Sequence, residues 1–221
     1  MTVTRYQGVI FDMDGTLLDT LADIAASVNR YLSRNALPTH PLDDYRYFVG
    51  DGSRMLIRRA LPETAGEAEV DSGFAAFMED YGQNWRMQTR LYDGIAEMLD
   101  GMTRMGVKMA ILSNKPHEFV LRFVDGFLGR WRFEAAAGNK DDVPRKPDPT
   151  GALIIAREMG LAPADILYVG DSSVDMQTAA AAGMFAVGVA WGFRPQKELE
   201  NHGCRFMAKQ PSDIITLLKG A

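Results

Sequence analysis

The run Val9-Ile10-Phe11, closed by Asp12-Met13-Asp14-Gly15-Thr16, constrains this chain more than any other stretch. Consecutive apolar residues read as a short buried strand, and Gly15 breaks it. A strand end is a rigid mount for a reactive group, and in open α/β sheets ligands bind beyond the carboxyl ends of strands. Two carboxylates two positions apart are costly unless a cation or a shared proton relieves them. The pair is therefore either a solvated turn or a metal-assisted catalytic site. The remaining sequence decides between the two.

The 221 residues suit one medium domain, or a core domain carrying a smaller insertion. With 47% apolar residues the chain can bury a substantial core, and no segment is low-complexity. A net charge of −5, with no block of Lys and Arg to track phosphates, argues against nucleic acid. The single cysteine, Cys204, cannot form an internal disulfide, which is compatible with a reducing compartment. The first residues do not read as a signal peptide, and no apolar stretch could span a bilayer. A soluble, cytoplasmic chain is the expectation.

After Asp14, the apolar residues Leu21, Ile24, Ala25, Val28 and Leu32 recur at helical spacing. Thr20 with Asp23 resembles a capping box and predicts the start of this helix; Asn35 to Pro38 ends it. Helical patterns resume over residues 53–61 and 68–86, and no convincing buried strand appears between residue 18 and about residue 90. The pattern then changes. Strands are predicted over 107–112, 133–137, 166–169 and 185–189, and helices over 95–102, 119–127, 149–159 and 174–182. A last helix is predicted near Ser212, an N-cap candidate after Pro211. Strands alternating with helices imply a parallel sheet with right-handed crossovers. The chain thus reads as an α/β, doubly wound core whose first strand is separated from the others by a helical insertion. A unit inserted there can cover the Asp12–Asp14 loop and exclude water.

Three further polar elements lie at strand or helix boundaries: Ser113-Asn114-Lys115-Pro116, Arg145-Lys146-Pro147, and Gly170-Asp171-Ser172-Ser173-Val174-Asp175. In a parallel sheet those boundaries converge on one edge. The inventory matches phosphoryl transfer. Asp12 is the candidate nucleophile, and Asp14 the group that protonates the leaving oxygen and then deprotonates water. An anionic nucleophile needs countercharge beside a phosphate. Mg²⁺ could supply it, held by Asp12, the Asp14 carbonyl and Asp171, with Asp175 orienting a metal-bound water. Lys146 would neutralise phosphoryl oxygens, and Ser113 would hold an equatorial oxygen.

These four elements, in this order, resemble the four motifs of the haloacid dehalogenase superfamily across nearly the whole chain. The resemblance implies a Rossmann-like core (1–17 and 89–221), a helical cap (18–88) and Mg²⁺-dependent phosphatase chemistry. Within that superfamily, Asp14 and a cap without lysine favour a phosphate ester over a haloacid or a phosphonate. The stretch Phe48-Val-Gly50-Asp51-Gly52-Ser-Arg54 and Ser113-Asn114-Lys115-Pro116 resemble the phosphoglycolate phosphatase-like subfamily. Gly50, Gly52, Arg54, Asn114, Ser113 and Lys146 are accordingly the substrate-binding candidates. Asp51 is a departure, since an acid pointing inward would oppose an anionic substrate. Trp191-Gly-Phe-Arg194 either lines the site or packs in the core. The expected substrate is a small phosphorylated metabolite, with 2-phosphoglycolate foremost, and the expected assembly a monomer or homodimer. Rival readings are a pyrophosphatase, a sugar phosphatase, a nucleotidase or a phosphoglucomutase relative and, from another class, a non-catalytic phosphate-binding protein.

Overall fold

The computed structural model describes residues 5–220. Gly8–Phe11 forms β1, all four residues buried. Leu18–Asp19 (β2) leads into α1 (Leu21–Arg34), a 3₁₀ turn at Leu42–Asp44, α2 (Tyr45–Phe48), α3 (Ser53–Ala60) and α4 (Glu67–Asn84). Then follow β3 (Arg90–Leu91), α5 (Ile95–Met105), β4 (Lys108–Pro116), α6 (His117–Phe123, extended by one wide turn over Val124–Leu128) and β5 (Ala135–Asn139). The chain closes with α7 (Thr150–Met159), β6 (Ile166–Gly170), α8 (Ser173–Ala182), β7 (Phe185–Val189), α9 (Gln196–Asn201), β8 (Phe206–Ala208) and α10 (Pro211–Leu218).

The main sheet has six strands in the order β5-β4-β1-β6-β7-β8, and every pairing is parallel. The chain starts at the centre, winds through β4 to β5, then returns to wind the other way through β6 to β8. This is a Rossmann-like, doubly wound α/β sheet. The reversal falls between β1 and β6, where such sheets open a crevice beyond the strand ends. Period-two alternation along β1 divides the core: Val9 and Phe11 join a cluster with Leu99 of α5 and Ile214 of α10, while Ile10 joins Ile155 of α7 and Met176 of α8. Both faces are thereby covered, as a parallel sheet requires.

A helical insertion, α1 to α4, the candidate cap and called so below, lies between β2 and β3, which pair antiparallel through Leu18 with Leu91 and Asp19 with Arg90. Arg30 of α1 and Asp80 of α4 form an ion pair within the cap. Tyr81 of α4 packs against Phe119 and Phe123 of α6, and Trp85 packs edge-on to Phe123. Two sequence expectations are corrected here. Thr20 makes no cap hydrogen bond; its hydroxyl donates to Asp14 instead, and Asp23 turns toward Gln88 and Thr89. The last helix starts at Pro211, so Ser212 lies inside it. Asp213 accepts from the backbone N–H groups of Lys209 and Gln210 and fixes that start. Among the described residues, no helix is long and apolar enough to cross a membrane.

Candidate active site

Asp12 directly follows β1, and its N–H donates to Val169 O on β6 at 2.9 Å, so the nucleophile candidate is fixed across the crevice. Asp14 sits in the tight loop that follows, where the N–H groups of Leu17 and Leu18 return to Met13 O. Asp171 and Asp175 come from the end of β6 and the first turn of α8. Gly15, at φ +80°, packs against Asp171: a Cβ there would lie 2.2 Å from Asp171 Oδ2. A Cβ on Gly192 would meet the same side chain from behind, 2.2 Å from its Cβ. The two glycines form a slot that only a bare backbone allows. Phe193 N–H fixes the carboxylate within it, donating to Asp171 Oδ2 at 2.6 Å.

The buried Lys146 ammonium lies 3.0 Å from Asp12 Oδ1 and donates to Asp175 Oδ1 at 2.7 Å. Its approach to Asp12 is in ion-pair range but off any hydrogen-bond direction, and Asp12 Oδ1 is buried without a hydrogen-bond partner. The other Asp175 oxygen accepts from the Ser172 N–H and hydroxyl, so Asp175 is committed to protein groups on both sides. Asn114 holds the lysine loop in place. It accepts from Lys146 N–H at 3.0 Å and donates to Lys146 O at 3.1 Å and to Gly50 O at 2.9 Å, joining core to cap. Ser113, 4% exposed, faces the same pocket and accepts from Lys115 N–H.

Asp12, Asp171 and Asp175 each offer an oxygen within 4.8 Å of the others. Burial raises the Asp12 carboxyl to about 7; Lys146 opposes this, while Asp175 and Asp14 add to it. Burial, then Asp175 and Asp12, likewise push Asp171 well above the usual carboxylate range. Burial disfavours the charge on Lys146, yet Asp12 and Asp175 outweigh it and hold the ammonium well above its ordinary value. Three carboxylates against one ammonium leave a deficit of positive charge, and the oxygen-only donor set is the kind that hard divalent cations prefer. With Asp12 Oδ1 unpartnered, these residues fit Mg²⁺.

The structure gathers Asp12, Asp14, Ser113, Asn114 and Asp171 around one pocket with Gly50 and Gly52 of the cap loop, and Lys146 lies against Asp12. It does not bring Arg54 there. That guanidinium is held on the outer face of the cap by Glu67 and Asp71. Asp51 also turns away from the pocket and pairs with Arg59. Two residues escaped the sequence reading. Lys115 is buried, 3.1 Å from Asp14 Oδ2 and 3.0 Å from the hydroxyl of Tyr81. The signal for Lys115 was its i+2 spacing from Ser113, which places both on one face of an extended strand. The free volume between cap and core is small, about 50 Å³. That is room for a few water-sized groups.

The haloacid dehalogenase-like hydrolase family matches residues 9–189. The chain belongs to this family. It is an enzyme, a phosphoric monoester hydrolase by that membership and by its relatives. A phosphoglycolate phosphatase of Pseudomonas putida is 36% identical over 221 aligned residues, covering 96% of this chain and 76% of the relative. Phosphoglycolate phosphatase 1 of Pseudomonas aeruginosa is 35% identical with the same coverage. A crystal structure of a predicted phosphoglycolate phosphatase from Haemophilus somnus superposes with a TM-score of 0.90 at 28% identity, over 97% of this chain and 98% of that one.

Proposed function

We propose that this enzyme hydrolyses 2-phosphoglycolate, with Mg²⁺, through an aspartyl-phosphate at Asp12. The reading takes 1–17 and 89–221 as catalytic core and 18–88 as cap, and it places the enzyme in the cytoplasm. The observation that carries it is the unpartnered, buried Asp12 Oδ1 beside Lys146: a nucleophile held in place with a lone pair left free. The relatives' names supply the substrate, and the small pocket suits a compact ester.

In the first half-reaction a carboxylate oxygen of Asp12 bonds to phosphorus as the bond to the leaving oxygen breaks, and Asp14 gives that oxygen its proton. In the second, water attacks phosphorus, the bond to Asp12 breaks, and Asp14 takes the water's proton. Lys115 donates to both Asp14 oxygens and fixes the direction of that side chain. Lys146 and the Ser113 hydroxyl hold phosphoryl oxygens against the nucleophile. Asp12, the Asp14 carbonyl and Asp171 would hold Mg²⁺, with Asp175 acting through Lys146 and Ser172. Bound there, the cation would offset negative charge between nucleophile and phosphate.

The test is single-turnover quenching with phosphorus-labelled 2-phosphoglycolate. An acid-stable, hydroxylamine-labile label on Asp12 is expected. Asp12→Asn should remove the label and lower kcat by at least about 10³-fold, as for loss of a covalent step. Normal turnover in a non-deamidated Asp12→Asn preparation would end the covalent reading.

A further inference from the structure

The phosphoryl group is gripped by the core, so discrimination among esters must come from groups facing the leaving group. Lys115 and Arg194 are the cations lining that pocket among the described residues. Lys115 is occupied by both oxygens of Asp14 and by Tyr81. The cap's own arginines nearby are turned elsewhere: Arg54 to Glu67 and Asp71, Arg58 to Glu67 and Ala65 O, Arg59 to Asp51.

Arg194 differs from all of these. It follows Phe193, whose N–H is anchored on Asp171, so its backbone is held one residue from the metal-fitting carboxylates. Its side chain is 14% exposed. Nη2 donates to Tyr47 O at 3.3 Å and Val49 O at 3.1 Å in the cap, and the guanidinium lies 4.9 Å over the Tyr47 ring. Its one carboxylate neighbour among the described residues, Glu198, is 3.9 Å from Nη1, beyond hydrogen-bond range. An arginine has five N–H donors in a planar fork matched to a carboxylate. Here two carbonyls engage one end, and among the described residues Nη1 and Nε find no hydrogen-bond partner. The loop it touches contains Gly50, where an added Cβ would stand in ordinary contact with Nη2, 3.8 Å away.

We infer that Arg194 is the specificity-determining residue of this site and selects phosphate esters whose leaving group carries a carboxylate. This rests on the phosphatase reading above and moves the selecting role from the cap helix to the core loop after β7. The Tyr47 and Val49 carbonyls position one end of the guanidinium, and the free edge takes the carboxylate.

The experiment compares 2-phosphoglycolate with ethyl phosphate, which has a methyl group where the former has its carboxylate, in wild type, Arg194→Gln and Arg194→Lys. Circular dichroism and thermal melting first establish that each variant is folded. Arg194→Gln should lower kcat/KM for phosphoglycolate by roughly 10- to 100-fold, as for charge-assisted hydrogen bonds, and for ethyl phosphate by less than about threefold. Arg194→Lys should recover part of the loss, and added guanidinium should restore part of the Arg194→Gln activity. Equal losses on both substrates, or no loss on either, overturn the inference while leaving the phosphatase reading intact. The same pair of measurements extends to 3-phosphoglycerate against glycerol 3-phosphate. If wild type favours that carboxylate ester over phosphoglycolate and Arg194→Gln abolishes the preference, the substrate proposal fails and the inference stands. A wild-type enzyme with no preference for either carboxylate ester over its uncharged match overturns the inference outright.

Discussion

Replacing Asp23 by Ala should cost this protein a large part of its stability. Asp23 is 2% exposed at the start of α1, and its carboxylate accepts from Gln88 N–H, Thr89 N–H and the Thr89 hydroxyl at 2.8 to 3.0 Å. These bonds close the chain where it leaves the cap, next to the two-residue β2–β3 pair. Hydrogen bonds to a charged group contribute about 1.5–3 kcal/mol each, and a buried donor left without a partner is costly in itself. Gln88 is exposed and can turn to water, and the Thr89 hydroxyl can turn to Trp85 O, so the buried Thr89 N–H dominates, giving about 2–4 kcal/mol in all. Total stability is typically about 5–15 kcal/mol. With a urea slope of about 2–3 kcal/mol/M, the unfolding midpoint should fall by roughly 1–2 M. Thr89→Val removes only the hydroxyl donor and should cost about 1 kcal/mol. In the double variant the two losses should not add, because the same bond is removed twice. A midpoint shift below about 0.3 M for Asp23→Ala, or strict additivity with Thr89→Val, would refute the clasp.

Further tests address the metal site, the cap surface and pH. Mg²⁺ should raise the melting temperature of wild type, and Asp171→Ala should weaken that response sharply at fixed Mg²⁺; an unchanged titration would remove Asp171 from the ligand set. Arg54→Ala should leave kcat/KM within about twofold for both phosphoglycolate and ethyl phosphate, since exposed pairs to Glu67 and Asp71 contribute little. A selective loss on phosphoglycolate would return recognition to the cap helix. Hydrogen bonds from Arg30 hold Asp80 below the usual carboxylate range, so the pair stabilises the fold above the unfolded value of about 3.9. That contribution should disappear as pH falls through the lowered native value. Arg30→Met should therefore melt below wild type at pH 7 and converge with it in acid, as measured by thermal scans.

Where a segment's own pattern determines its structure, the sequence was legible. Val9-Ile10-Phe11, the strand at 185–189 and the amphipathic α1 and α5 carry enough periodic apolar residues to be placed to within three residues. The four polar elements could be assigned to one edge because parallel strands must end together. What escaped depends on partners far along the chain. The two-residue β2 and β3 are too short for any period, and they exist only because they pair with each other. β8 adds to the sheet by docking on β7. Thr20 looks like a cap from its neighbours alone, yet Asp14 offers its hydroxyl a stronger acceptor. Arg54 looked like a substrate ligand because its loop contains glycines, while Glu67 and Asp71, which claim it, lie in the next helix.

The same long-range logic links cap position to Asp14, the proposed proton carrier. Asp14 accepts from Thr20, at the junction where the cap begins, and from Lys115 of β4. Lys115 in turn donates to Tyr81 of the cap and lies 4.7 Å from that ring's centroid and 4.8 Å from that of Phe123. Burial keeps the Tyr81 phenol well above its usual range, so it meets Lys115 as a neutral hydroxyl with a lone pair to offer. If α4 lifts away, the ammonium loses this acceptor and one of its two aromatic faces. Water can then reach it, and its attraction to Asp14 weakens as the local dielectric rises. With the cap seated, the ammonium is dry, fixed and directed at the Asp14 carboxylate, to which the proposed mechanism gives the proton of the attacking water. In that proposed mechanism a seated cap does more than enclose a small ester: it completes the electrostatic surroundings of Asp14.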